Sequence, residues 1–257
     1  MRRFLTCWVL AAGLLTLALP AFALVDEGKV AAAKQAADEL LRRAEGSAAS
    51  GVMPRRSDPA VARLLDTVFD VSALGTEAVP MTAIAPIGEL AINGNRVGLA
   101  YILAGTGRAD PAGADREVLE RVDRNTVTFA PEVGQFTDFQ LAVTDKMARS
   151  ALDFLAGASP AVLAQPRVQS GLGKMRAGYA QTIGGVIKTF AISGLDDDWK
   201  LHRLDALDPL ADSASRFLGE GEKAGIRQLA DEVGKEQSAG VRTRVEAFVQ
   251  RAAAPAH

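Results

Sequence analysis

Apolar side chains recur every three or four positions along most of this chain, the spacing that places them on one face of a helix. Between residues 25 and 45, Val30, Ala33, Ala37, Leu40, Leu41 and Ala44 share such a face. The Gly/Ser/Pro stretch "GSAASGVMPRRS" interrupts the pattern, and Asp58-Pro59 restarts it. Aspartate accepts from the free N–H groups of a first turn, and proline needs no hydrogen bond at the first helical position. The pair therefore predicts a helix start, with Val61, Leu64, Leu65, Val68 and Phe69 as the stripe that follows.

A helix is expected from Arg116 to about Phe129, with Val118, Leu119 and Val122 inward, before Pro131 breaks or kinks it. The pattern resumes over 132–156 with Val133, Phe136, Val143, Met147 and Phe154 on one side, and Gln140 is the polar exception among them. Pro160 and Pro166 bracket a short turn or helical piece. Residues 199–217 read as a helix with a kink near Pro209. Residues 221–233 form another, and Ser238 caps a last one carrying Val241, Val245, Phe248 and Val249.

Two segments are ambiguous. In 87–104, Asn93-Gly94 is a hairpin-turn dipeptide, and Val97, Leu99, Tyr101 and Leu103 alternate like a strand. The same residues fit two helices, with Gly94 ending one and Asn95 capping the next. Two helices are the expectation, because no other segment offers partner strands. The second segment, 168–190, holds Gly171, Gly173, Gly178, Gly184 and Gly185 within a helical pattern that is apolar on more than one face. Each glycine costs roughly 1 kcal/mol relative to alanine in a helix. Close helix–helix approach at the centre of a bundle would compensate, and so would a glycine-lined cleft.

Composition supports helices. Hydrophobic residues make up 48% of the 257 positions but aromatic residues only 5%, and runs of β-branched residues are missing. The expectation is an all-α chain: one irregular helical bundle of about eight or nine helices, over 24–257.

The front of the chain has a different character. Arg2 and Arg3 precede the apolar run "LTCWVLAAGLLTLALP", and Ala21-Phe22-Ala23 follows. A basic start, a short apolar run and small residues at the cleavage positions predict a secretory signal over 1–23, cut after Ala23. The run is shorter than the roughly 20 residues a membrane span needs. Cys7 is the chain's only cysteine and lies inside that run, so the exported protein would have no disulfide. The expected location is periplasmic or secreted, with no transmembrane segment after cleavage. Charge is nearly balanced, 29 basic against 31 acidic residues, with no basic patch, so nucleic acid is not an expected partner.

Chemistry enters chiefly through exclusions. His202 and His257 are the only histidines, too few for a His-rich zinc site or a histidine phosphatase. No phosphate-binding glycine loop, serine-nucleophile motif or calcium-loop spacing occurs, and no cofactor is expected. Carboxylates remain. "SGLDDDWKLHRL" gathers Asp196, Asp197 and Asp198 next to Trp199, with His202 one turn on. Three consecutive side chains diverge on a helix, so the run reads as an N-cap followed by first-turn charge. Two polar groups are weak candidates for binding. Arg124, Asn125, Glu132 and Asp138 surround the Pro131 break, and Arg176, Tyr179 and Gln181 lie in the glycine-rich segment. Glu132 or Asp138 is expected to pair with a buried arginine.

These features favour a non-enzymatic exported protein that binds an envelope protein or an apolar small molecule. The alternative is a carboxylate-based envelope hydrolase using Glu132, Asp138 or Asp196–Asp198.

Overall fold

Aspartate and serine caps divide the chain into helices. In the computed structural model, which describes residues 25–45, 52–77, 79–109 and 113–254, Asp26, Asp58, Asp115, Ser159, Asp196 and Ser238 each accept from a first-turn N–H. The predicted signal segment, Cys7 and His257 lie outside the described residues. Eleven α-helices and no strand occur among the described residues, slightly more helices than expected. They are α1 Glu27–Ala44, α2 Pro59–Val68, α3 Ala85–Ile102, α4 Arg116–Thr128, α5 Ala130–Gly157 and α6 Pro160–Leu163. Next come α7 Pro166–Thr189, α8 Asp197–Leu207, α9 Leu210–Phe217, α10 Glu220–Gly234 and α11 Ala239–Ala252. Pro209 separates α8 from α9, and Pro131 sits harmlessly in the first turn of α5.

The helices fall into two units, and the boundary lies within α5, after Phe139. The first unit holds 25–75 and 86–139. Its buried face on α3 overturns the expected break at Gly94: α3 is one uninterrupted helix through Asn93-Gly94. The reason is steric. A Cβ built on Gly94 would lie 2.3 Å from Cε1 of Phe139, and one on Gly98 would lie 2.4 Å from Cδ2 of Phe136. Two glycines one turn apart thus open a bare strip of helix backbone, and the two α5 rings fill it. Phe69 meets both rings, at centroid separations of 5.9 Å and 5.5 Å. The turn propensity of Asn-Gly is local and small, and burying two phenylalanines outweighs it.

The second unit holds 76–85 and 140–254. Its core joins Leu141 and Ala151 of α5, Ile183 and Ile187 of α7, Leu204 of α8, Phe217 of α9, Ile226 of α10 and Phe248 of α11. The glycine-rich segment is helical as expected, but it is not buried throughout. Residues 166–177 are mostly exposed, with Leu172 buried, and burial becomes general from Tyr179 onward. Its glycines do not mark one tight contact. A Cβ on Gly184 would stand 3.4 Å from Leu229, an ordinary distance, and one on Gly173 would meet nothing within 4 Å. In the turn after α7, Gly194 takes φ 97°, a conformation side chains disfavour, and delivers the chain to the α8 cap.

Gly94→Ala should therefore destabilise the protein. Overpacking costs about 1–3 kcal/mol, more than the roughly 1 kcal/mol that alanine returns as a helix former. Gly184→Ala should be neutral or slightly stabilising. Denaturant midpoints of the two variants would expose an error in this steric account if they moved together.

Candidate functional site

The first polar group proves to be backbone carpentry. Asn125, buried on α4, donates through Nδ2 to the carbonyls of Ile102 (2.9 Å) and Ala104 (2.8 Å), closing the frayed end of α3. Glu132, 3% exposed on α5, accepts the Arg56 backbone N–H at 2.7 Å. Its other oxygen is buried without a hydrogen-bond partner. Arg124 is exposed, and Asp138 is half-buried on α5.

The residues that hold this region together come from the loop before α2, which sequence reasoning passed over as a linker. Tyr101 donates its hydroxyl to the Pro54 carbonyl at 2.7 Å. Arg55 donates to the Thr128 carbonyl at 2.6 Å, and its guanidinium lies 4.6 Å from the centre of the Phe129 ring. The Arg56 side chain reaches Asp66 (2.7 Å) and Gln135 (2.6 Å). The usable signal was Pro54-Arg55-Arg56 within a Gly/Ser loop, since solvated linkers have no need of two adjacent arginines.

The second group lies in the second unit. Arg176 donates Nε to the Phe217 carbonyl at 2.9 Å and spreads over the Phe217 ring at 5.6 Å, finishing the C-terminus of α9. Glu132 does not pair with an arginine side chain through its described hydrogen bond, which comes from a backbone N–H. Arg176 meets a carbonyl and a ring, Arg124 faces solvent, and Glu132 takes a backbone N–H. Gln181 is exposed. Tyr179 is 2% exposed, and its hydroxyl lies 2.6 Å from Oγ of Ser213 and 3.1 Å from the Leu210 carbonyl. Ser213 in turn reaches Oδ1 of Asp145 at 2.5 Å, and Arg149 holds Oδ2 at 2.7 Å. Asp145 and Ser213 were missed, although each is a small polar residue on a buried helical face. The chain Tyr179–Ser213–Asp145 satisfies buried polar groups, with the serine donating to a carboxylate that Arg149 also holds.

Next to this network, Met147, Met175, Gly178, Tyr179 and Phe217 line an apolar niche of about 20 Å³. That is room for about one water. Gly178 borders this niche, and the space is far smaller than a ligand cleft.

The aspartate run behaves as a helix start. Asp196 accepts the Trp199 N–H at 2.7 Å, and Asp197 and Asp198 occupy the first turn of α8. His202 is exposed. Asp205 and Asp208 instead bind Arg244, at 2.6 Å and 3.4 Å, and Asp208 also binds Arg251 at 2.8 Å. Among the described residues no three His, Cys, Asp or Glu side chains gather as metal ligands.

No protein-family model, curated protein or solved structure matches the chain.

Two outcomes follow from this geometry. Asp196→Ala should lower stability by about 0.5–2 kcal/mol, the cost of a lost N-cap, and Asp197→Asn by a few tenths. Chelator should leave the melting curve unmoved; a chelator-sensitive transition abolished by Asp197→Asn would make the run a metal site instead.

The chain has two tyrosines, Tyr101 and Tyr179. Burial pushes both hydroxyls well above the usual tyrosine range. Glu132 adds to the rise at Tyr101 and Arg55 opposes it, while the Ser213 hydrogen bond opposes it at Tyr179. The folded state therefore keeps protons that the unfolded chain releases near pH 10, so this stabilisation is complete below about pH 10 and declines above it. Tyrosinate absorbance should appear only with loss of helical circular dichroism. Titration of either tyrosine in the fully folded protein would contradict the burial.

Proposed function

We propose that this chain is an exported helical protein that works by binding a partner in the cell envelope, without catalysis. One observation carries the reading: Asn125, Arg176, Tyr179 and one oxygen of Glu132, the polar groups best suited to a site, are spent on backbone groups or, at Tyr179, also on Ser213. A catalytic set needs groups that converge on substrate-sized space. The Met147–Phe217 niche offers space for about one water, too little to hold an apolar small molecule there. No helix among the described residues is long and apolar enough to cross a membrane. Export itself rests on the sequence pattern of residues 1–23.

The carboxylate-hydrolase alternative keeps one observation in its favour, the buried and unpartnered oxygen of Glu132. A hydrolase would need a second acid or base facing that oxygen. The other Glu132 oxygen is taken by the Arg56 backbone N–H.

Native mass spectrometry of the protein purified from its own envelope, joined to N-terminal sequencing, tests the proposal. The expected species starts at Leu24 and carries no stoichiometric small molecule. An intact Met1 would refute cleavage after Ala23, and a tightly retained metabolite-sized adduct would refute the surface reading.

A further inference from the structure

Acidic side chains are spread along this chain, 31 among 257 residues, yet none occurs from 154 to 195. The charged residues of that stretch are Arg167, Lys174, Arg176 and Lys188, all basic. Structurally it comprises the end of α5, all of α6 and all of α7. Its first part is also the most exposed portion of those helices. Ala156, Gly157, Pro160, Ala161 and residues 164–167 face solvent, and a Cβ on Gly157 or Gly173 would meet nothing within 4 Å. Within this exposed region, Phe154, Leu155, Val162, Leu163 and Val168 are only partly covered. Arg167 and Lys174 are exposed beside them, whereas Arg176 is occupied by the Phe217 carbonyl.

We propose that this end of the second unit, residues 154–177, which carries no carboxylate in its own sequence, is a reversible docking surface for an anionic lipid surface. Two properties on the same segment point to that occupant. The stretch supplies basic charge and no carboxylate of its own, and Arg167 and Lys174 are exposed outside the described ion pairs, which favours an anionic partner over a cationic one. Partly covered aliphatic and phenyl groups next to exposed Arg167 and Lys174 are the combination that settles at the headgroup–acyl boundary. A fluid bilayer surface needs no shape complementarity. The contact is peripheral. The inference deepens the binding reading by naming the partner of one face.

The test uses the full mature chain and vesicles. Co-sedimentation is measured with vesicles of mixed phosphatidylglycerol and phosphatidylcholine, and with phosphatidylcholine alone, at low and high salt. Binding is expected only to the anionic vesicles, weakening as salt rises. The doubly reversed R167E/K174E variant should bind roughly tenfold more weakly or less, while Arg116→Glu, an exposed reversal on α4, should bind like the native protein. Both variants are checked for native circular dichroism, which exposed positions should preserve. No binding to either vesicle, equal binding to both, or undiminished binding by R167E/K174E would overturn the lipid proposal. None of these outcomes touches the binding reading, which would fall instead to a metabolite-sized adduct in native mass spectrometry. Salt-sensitive capture by immobilised polyglutamate with no vesicle binding would likewise overturn the lipid assignment, and would give the surface to an acidic protein.

Discussion

The contact on which the first unit depends is between aromatic rings and bare helix backbone. Gly94 and Gly98 give α3 a strip without side chains, and Phe139 and Phe136 of α5 lie in it at separations no Cβ would permit. Such a strip is costly in isolation, because each glycine raises the entropy lost on forming the helix. Burial of two phenylalanines offsets that cost, and Phe69 caps the pair of rings from α2's C-terminal end. Much of the unit's polar arrangement follows from fixing α5 in this way. Once Glu132 and Gln135 are in place on α5, they can hold Arg56, and with it the loop that leads into α2.

The second unit uses a different economy. Its core is mainly aliphatic, with Tyr179, Phe190, Phe217 and Phe248 among the aliphatic side chains, and several of its buried polar residues form short hydrogen-bonded chains. Lys146 donates to the Glu77 carbonyl, and Ser150 accepts the Val79 N–H at 3.3 Å, so Glu77 and Val79 are fastened to α5. Tyr179, Ser213 and Asp145 tie α7, α9 and α5 together, with Arg149 compensating the buried carboxylate. On the outer side, Arg244 and Arg251 of α11 gather the α8 end through Asp205 and Asp208. These exposed pairs each contribute little, but together they explain why aspartates that resemble a cation site in sequence serve as ordinary ion-pair partners.

What sequence made legible was local. Asp58-Pro59, Asp196, Ser238 and the Pro160/Pro166 bracket mark helix ends because capping depends on residues within one turn. The continuous α3 was hidden because its cause lies some 40 positions away, in Phe136 and Phe139. The same holds for the candidate site. Asn125 and Glu132 stood out correctly as buried polar residues, but their partners are backbone groups of distant loops, which no side-chain pattern records. Gln181 and Arg124, chosen for their neighbours in sequence, face solvent.

The most direct measurement of the central contact is a double-mutant cycle on Gly94 and Phe139, read by equilibrium unfolding. If the ring fills the glycine strip, Phe139→Leu should absorb much of the damage done by Gly94→Ala, because the smaller side chain leaves space for the new methyl group. The coupling should then be on the order of 0.5–3 kcal/mol, as for residues in direct contact. Strict additivity of the two substitutions would contradict the account.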